Sequence, residues 1–164
     1  MTEQEPYPRS LGHIGITVDD IEEGVEWYES VLGFTHVMGP EKIHANEGHF
    51  GKLVADGMSG FEWMKIAHMA TGNQVGVELF EYDTTEGESN PEMMTPGLNH
   101  ICVQDPNIEE LAARIEETGG TQLKDIWKVY PDEEYEMTYC EDPFGNFVEI
   151  HTHGYEHGHA NMSY

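Results

Sequence analysis

Polar and apolar residues alternate over residues 13–18, which predicts a β-strand with two different faces. His13, Gly15 and Thr17 share the polar, small-residue face, and the residues between them are apolar. From residue 20 onward the spacing of apolar residues becomes that of a helix. The predicted buried stripe of this helix consists of Ile21, Val25, Tyr28 and Leu32.

The strand and helix pattern occurs twice in the chain. Residues 11–33 correspond to residues 98–120 at a constant offset of 87 positions, so that His13 aligns with His100. Two copies are too few for a solenoid, which needs about three repeats or more. The sequence therefore predicts a duplicated module that packs against itself.

Both predicted helices have recognisable ends. The first opens with Asp20 and the second with Asn107, and a glutamate follows three residues later in each, as in a capping box. Glycines at positions 33, 119 and 120 are typical helix stops. Further strands are predicted at residues 34–38, 48–55, 64–70 and 75–82 in the first half, and at 122–129, 136–141 and 146–152 in the second.

These elements divide the chain into five parts. We expect an N-terminal extension at residues 1–10, a first module at 11–82, a linker at 83–96, a second module at 97–153 and a flexible tail at 154–164. The linker is rich in Glu, Ser, Asn, Pro and Thr, and the tail in Gly, His and Asn.

Two histidines and two glutamates occupy matching places in the duplicated unit. His13 and His100 lie on the polar face of the first strand of each copy, and Glu78 and Glu149 in the middle of the last strand. A carboxylate in such a strand is costly to bury without a cation, a hydrogen-bond partner or solvent. Taken singly, a strand histidine is more often structural, but the duplication favours one shared divalent cation. A mixed nitrogen and oxygen ligand set suits Zn, Ni, Co, Mn or Fe(II).

The charge of the chain excludes several classes of partner. Thirty-two acidic and seven basic residues give a formal net charge of −25. Binding to nucleic acid phosphates or to anionic lipid needs Lys and Arg, so neither partner is expected. We also expect no membrane span, because no run of about 18 apolar residues occurs.

A cytoplasmic location is the expectation from the remaining composition. The first residues lack the basic and apolar regions of a secretory signal, and the two cysteines, Cys102 and Cys140, do not make a disulfide framework. Acidic residues are scattered over every segment, which favours a protein of a salt-accumulating halophile over an ordinary acidic protein. At molar salt the Debye length falls to about 3 Å, which screens the self-repulsion.

Four segments resemble the vicinal oxygen chelate superfamily, which includes glyoxalase I, bleomycin resistance proteins, epimerases, fosfomycin-resistance proteins and extradiol dioxygenases. They are LGHIGITVDDIEEGVEWYESVLGF, VGVELFEY, GLNHICVQD and EDPFGNFVEI, and together they span roughly residues 11–153. The resemblance implies an α+β fold of two βαβββ modules that form a cupped mixed sheet around a metal. It also implies the metal ligands, which are His13, Glu78, His100 and Glu149.

The ligand set is similar to that of bacterial-type glyoxalase I. The resemblance therefore implies a metal-dependent isomerising lyase that acts on a 2-oxoaldehyde–thiol hemithioacetal through a metal-bound enediolate. Glu149 is the expected catalytic base, with Glu78 as its symmetric counterpart. A low-molecular-weight thiol is the implied co-substrate and a homodimer the implied assembly.

Several alternatives stay open at this point. An epimerase or a dioxygenase of the same superfamily would use a related site, and a small-molecule-sequestering protein is a third possibility, although the intact ligand set disfavours a metal-free one. The metal site could be built within one chain or across two. Scarce Lys and Arg weigh against a thiol with several carboxylates. His151 could assist proton transfer or be one of several tail histidines, and Cys102 could lie near the metal or be a small buried residue.

Overall fold

The computed structural model describes residues 8–57, 60–83 and 96–160. The first half contains, in order, β1 (His13–Thr17), α1 (Ile21–Ser30), β2 (Thr35–His44), α2 (Gly48–Gly57), β3 (Trp63–Ala70) and β4 (Gly76–Tyr82). The second half contains β5 (Ile101–Gln104), α3 (Ile108–Glu117), β6 (Thr121–Gln122), β7 (Trp127–Lys128), β8 (Glu136–Glu141), β9 (Phe147–His151) and α4 (Tyr155–His159). Within the described segments, no helix is long and apolar enough to cross a membrane.

Each half forms its own mixed sheet. The strand order is β1-β4-β3-β2 in the first and β5-β9-β8-β6 in the second, where β7 also pairs with β8. In both sheets the first strand lies parallel to the last, and the other pairs are antiparallel. The predicted α+β class with two duplicated modules is confirmed.

A common core fills the space between the apolar sheet faces and the helices. The first module contributes the apolar sides of β1, β3 and β4 and the stripe of α1, and the second contributes β9 and α3. The largest fully buried side chains of this core include Tyr28, Ile21, Met69, Leu79, Ile108, Ile115, Val148 and Ile150. The opposite sheet faces are left to the polar residues.

The ends of the two matching helices differ in detail. Asp20 caps α1, because its carboxylate accepts the backbone N–H of Glu23 at 2.9 Å. Asn107 is the N-cap residue of α3, as predicted, but its side chain makes no capping bond; the Asp105 carboxylate instead accepts the backbone N–H of Asn107 at 2.8 Å. Gly33, the predicted stop of the first helix, has φ +68°, a left-handed conformation that glycine adopts readily.

One predicted strand is a helix. Residues 48–55, expected to be extended, belong to α2, where Phe50, Leu53 and Val54 follow helical spacing and Val54 is buried. Gly51 packs directly against the backbone carbonyl of His44, which leaves no room for a side chain. A short apolar run fits both the period of a strand and that of a helix. Here the contact of Gly51 with the end of β2 favours the helix.

Two other predicted segments differ from expectation. The strand predicted at 122–129 is split into β6 and β7, which pair separately with β8. The tail contains helix α4, whereas residues 161–164 lie outside the described residues. Most of the predicted linker, residues 84–95, and residues 1–7 of the N-terminal extension also lie outside, so the module boundaries stay predictions.

The two modules meet through α1 of the first and the β8–β9 turn of the second. The Tyr28 hydroxyl donates to Asp142 Oδ2 at 2.6 Å, in a fully buried contact. Burial and the nearby carboxylate raise the pKa of Tyr28 well above its usual value, and burial raises the pKa of Asp142. Trp27 Nε1 also donates to Thr118 Oγ1 at 3.0 Å. The helix side of the first module is therefore attached to the second.

Replacing Tyr28 with phenylalanine tests this attachment. The variant leaves Asp142 without one of its buried donors, so we expect the free energy of unfolding to fall by about 1–3 kcal/mol in urea denaturation. The matched control is Tyr155→Phe, because Tyr155 is 80% exposed. Equal losses in both variants would contradict the assignment.

Candidate metal centre

The first pair of predicted ligands comes together on the polar face of the first sheet. β1 and β4 run in parallel, and Glu78 on β4 is in register with Gly15, two residues after His13. His13 Nε2 lies 3.6 Å from Glu78 Oε2. The His13 side chain is 61% exposed, so this pair of side chains is open to solvent.

A third donor in the first module was missed by sequence reasoning. His68 on β3 lies directly opposite Glu78, and its Nδ1 is 3.5 Å from Glu78 Oε1. The segment was correctly predicted as a strand, but its pairing register with β4 was unknown. Given that register, strand alternation would have placed His68 on the polar face.

The second pair is tighter and more buried. His100 Nε2 lies 3.1 Å from Glu149 Oε2, and Glu149 on β9 is in register with Cys102 on β5. His151, two residues after Glu149, places Nε2 3.2 Å from Glu149 Oε1. The side chains of Glu149 and His151 are 11% and 10% exposed. Both residues of uncertain role in the sequence, Cys102 and His151, thus flank the glutamate.

Tyr139 occupies the position in the second module that His68 occupies in the first. It lies opposite Glu149 on the neighbouring strand, and its ring meets that of His100 edge-on at 5.7 Å. Burial and hydrogen bonding to Glu149 raise the pKa of Tyr139 to about 12. The phenol therefore stays protonated at neutral pH and serves as a donor to the carboxylate.

The electrostatics of the second module favour an ionised Glu149. Burial alone would raise the pKa of this carboxyl, but hydrogen bonds from His151 and Tyr139, with the charges of the neighbouring histidines, hold it at about 2. Partial burial and the Glu149 charge raise the pKa of Cys102 to about 12. The group around Glu149 thus contains one carboxylate among proton-bearing neighbours.

A residue outside the metal-facing group orients His100. His100 Nδ1 lies 2.6 Å from the Asn99 side-chain oxygen, which accepts a hydrogen bond in the tautomer with a protonated Nδ1. That tautomer leaves the lone pair of Nε2 available to a cation. Such a partner is typical of histidines that ligate metals.

The single chain brings the four predicted ligands together as two pairs. Among the described residues, the groups of three or more potential ligand atoms within 4.8 Å of one another are Cys102–Glu149–His151 and Asp20–Glu22–Glu81. Neither contains ligands of both modules, and no hydrogen-bonded strand pair joins the two sheets in the described segments. The imidazole and carboxylate donors of each pair fit a divalent transition metal. Within one chain the predicted ligands therefore lie as one histidine–glutamate pair in each module.

The sequence matches the model of the Glyoxalase/Bleomycin resistance protein/Dioxygenase superfamily over residues 10–150. The chain belongs to this superfamily. No curated protein matches the sequence. The fold of two duplicated modules agrees with this membership, as the resemblance implied.

Solved structures show the same fold at low sequence identity. A glyoxalase family protein from Bacillus cereus has a TM-score of 0.70 and 17% identity, over 92% of this chain and 97% of that one. Glyoxalase I from Zea mays has a TM-score of 0.61 and 16% identity, over 88% of this chain but 44% of its own.

A fosfomycin resistance protein from Listeria monocytogenes is also similar. It has a TM-score of 0.59 and 14% identity, over 93% of this chain and 96% of its own. That protein was solved with Mn(II) and 1S,2S-dihydroxypropylphosphonic acid. All three solved proteins therefore share the fold of this chain.

A glycine sets the close approach of β1 and β4. A Cβ added at Gly76 would lie 2.9 Å from the His13 Cβ, so the two strands can position His13 beside Glu78 only without a side chain there. We expect Gly76→Ala to displace His13 and to cost about 1–3 kcal/mol of unfolding free energy, measured in urea. The control is Gly72→Ala, because a Cβ at Gly72 meets nothing within 4 Å. Equal stability of the two variants would disprove the constraint.

Proposed function

We propose that this protein is a metal-dependent isomerising lyase of glyoxalase type. Its substrate would be the hemithioacetal of a 2-oxoaldehyde and a small thiol, and its product the 2-hydroxyacyl thioester. The observation that carries the proposal is the repeated pairing of a histidine and a glutamate, at 3.6 Å in the first module and 3.1 Å in the second. Both pairs lie on the polar face of a parallel strand pair.

The proposed ligands of the divalent ion are His13, Glu78, His100 and Glu149. When bound, Ni, Zn, Co, Mn or Fe would supply electrophilic stabilisation of the negative charge that develops on the substrate oxygens. The carboxylates counter the ion's charge, and Asn99 holds His100 in the orientation a ligand needs.

Glu149 is the proposed catalytic base. Its side chain is ionised and largely withdrawn from solvent, and it lies among groups that can donate hydrogen bonds to it. In this role it removes the proton from the hydroxyl-bearing carbon of the hemithioacetal and returns it to the neighbouring carbon. Glu78 has the corresponding position in the more open first module.

In the proposed assembly, a second copy of the chain supplies the other histidine–glutamate pair of each metal site. The helix side of the first module is occupied by the second module through Tyr28 and Asp142. The polar faces carry the ligand pairs, and His13 is largely exposed. A symmetric homodimer would bring the first-module pair of one copy to the second-module pair of the other.

The charge of the polar faces favours a thiol that does not carry several carboxylates. Lys65 lies on the strand face opposite to Glu78 and forms ion pairs with Glu22 and Glu81. Lys128 lies on the face opposite to Glu149 and forms an ion pair with Glu134. Arg114 lies on α3 and forms an ion pair with Glu110. Anionic groups of a substrate would therefore find few partners on the ligand-bearing strand faces.

The proposed place of action is the cytoplasm of a cell with high internal salt. Two free cysteines suit a reducing compartment, and seven basic side chains cannot neutralise 32 acidic ones. High salt screens the remaining repulsion.

The activity is tested by assaying the metal-loaded protein with methylglyoxal and several thiols. We expect Glu149→Gln to lower kcat by at least about 100-fold while most of the bound metal is retained, because the base is lost and the shape is kept. Glu117→Gln is the control, since Glu117 lies exposed on α3. Full activity of Glu149→Gln would refute its role, and O₂ uptake with catechols without isomerase activity would refute the function.

The shared site is tested by mixing two inactive variants. His13→Ala damages the first-module pair and His100→Ala the second-module pair. If each site combines modules of two copies, random reassociation gives heterodimers with one intact site, and activity should return to about one quarter of wild type. Sites built within one chain would give no recovery.

A further inference from the structure

The second module carries two potential metal ligands that the first module lacks. Cys102 lies beside Glu149 in the register of β5 and β9, and His151 follows Glu149 on the same face of β9. The corresponding places in the first module are Gly15, in register with Glu78, and Phe80, two residues after it. The two modules therefore differ in the residues that surround their matching glutamates.

The three side chains already converge on one point. Ligand atoms of Cys102, Glu149 and His151 all lie within 4.8 Å of one another. Zn–S bonds of about 2.3 Å and Zn–N or Zn–O bonds of about 2.0–2.2 Å separate ligand atoms in a tetrahedral site by roughly 3.3–3.8 Å. Small side-chain movements, with no change of strand register, would complete such a geometry.

A fourth donor stands on the other side of the carboxylate. His100 Nε2 lies 3.1 Å from Glu149 Oε2, and its other ring nitrogen is engaged by Asn99. Nitrogen, oxygen and sulfur donors are thus all present within one module. Thiolate ligands favour Zn(II) and Co(II) over hard cations such as Mg(II) and Mn(II).

We propose that the second module by itself binds a thiophilic divalent cation through Cys102, Glu149 and His151, with His100 beside the other oxygen of the Glu149 carboxylate. On binding, a bond forms between the Cys102 sulfur and the cation, and the thiol proton is released to solvent. This inference rests on the proposed function and deepens it, because Glu149 serves in both. It differs in requiring neither the first module nor a second copy of the chain.

The first module lacks an equivalent set of donors. A Cβ at Gly15 would lie 3.0 Å from the Phe80 ring, so a cysteine there would require the ring to move. Its donors, His13, Glu78 and His68, contain only nitrogen and oxygen. The two modules therefore differ in the cations they prefer.

The test is a titration of the reduced, full-length protein with Co(II), without oxygen. A thiolate ligand gives a sulfur-to-cobalt charge-transfer band in the near ultraviolet, whereas histidine and carboxylate ligands, including those of the tail, give none. We expect the band in the wild type, its loss in Cys102→Ser, and at least about a tenfold weaker Co(II) affinity in that variant. The control is Cys140→Ala, because Cys140 is buried in the core and should leave the band unchanged.

Two further variants make the outcome decisive. His151→Ala should weaken Co(II) binding and alter the visible bands of the bound cobalt, and His13→Ala should leave the charge-transfer band intact. Stoichiometric Co(II) binding without a charge-transfer band would overturn this inference while leaving the proposed lyase function standing. No Co(II) binding at all would overturn both. Thermal unfolding of Cys102→Ser verifies that the exposed substitution leaves the fold intact.

Discussion

The parallel pairing of the first and last strand in each module is the constraint on which the site depends. It sets Glu78 beside Gly15 and Glu149 beside Cys102, and so brings a histidine of the first strand next to a glutamate of the last. A carboxylate in mid-sheet must be compensated, because its desolvation is costly. Imidazoles compensate it in both modules, and the phenol of Tyr139 adds a donor in the second. The same need for compensation makes these positions suitable for a cation.

The two modules pack against each other through the helix side of the first module. The buried bond between Tyr28 and Asp142 attaches α1 to the β8–β9 turn, and the core runs continuously between the modules. The aspartate of the EDPFGN segment is thus a structural residue, whose carboxylate also accepts the backbone N–H groups of Phe144 and Asn146.

The two modules share one architecture but differ in the side chains that surround the matching glutamates. Both keep a histidine and a glutamate, but Gly15 and Phe80 of the first module are replaced by Cys102 and His151 in the second. The first pair is open to solvent and the second is largely buried. A carboxylate withdrawn from water is a stronger base than an exposed one, because fewer water molecules stabilise its charge. The asymmetry therefore favours Glu149 over Glu78 as the reacting group.

The sequence alone determined the duplicated modules, most strand positions and the polar strand face on which each histidine and glutamate lies, because alternation along a strand fixes which residues share a face. It could not place His68 or Tyr139 opposite the glutamates, since cross-strand register depends on hairpin geometry that no local pattern encodes. It also mistook α2 for a strand, because a short apolar run fits both periods until the end of β2 packs against Gly51. Only the tertiary structure decided how the two modules pack, because their relative position depends on buried contacts such as Tyr28–Asp142, between residues far apart in sequence.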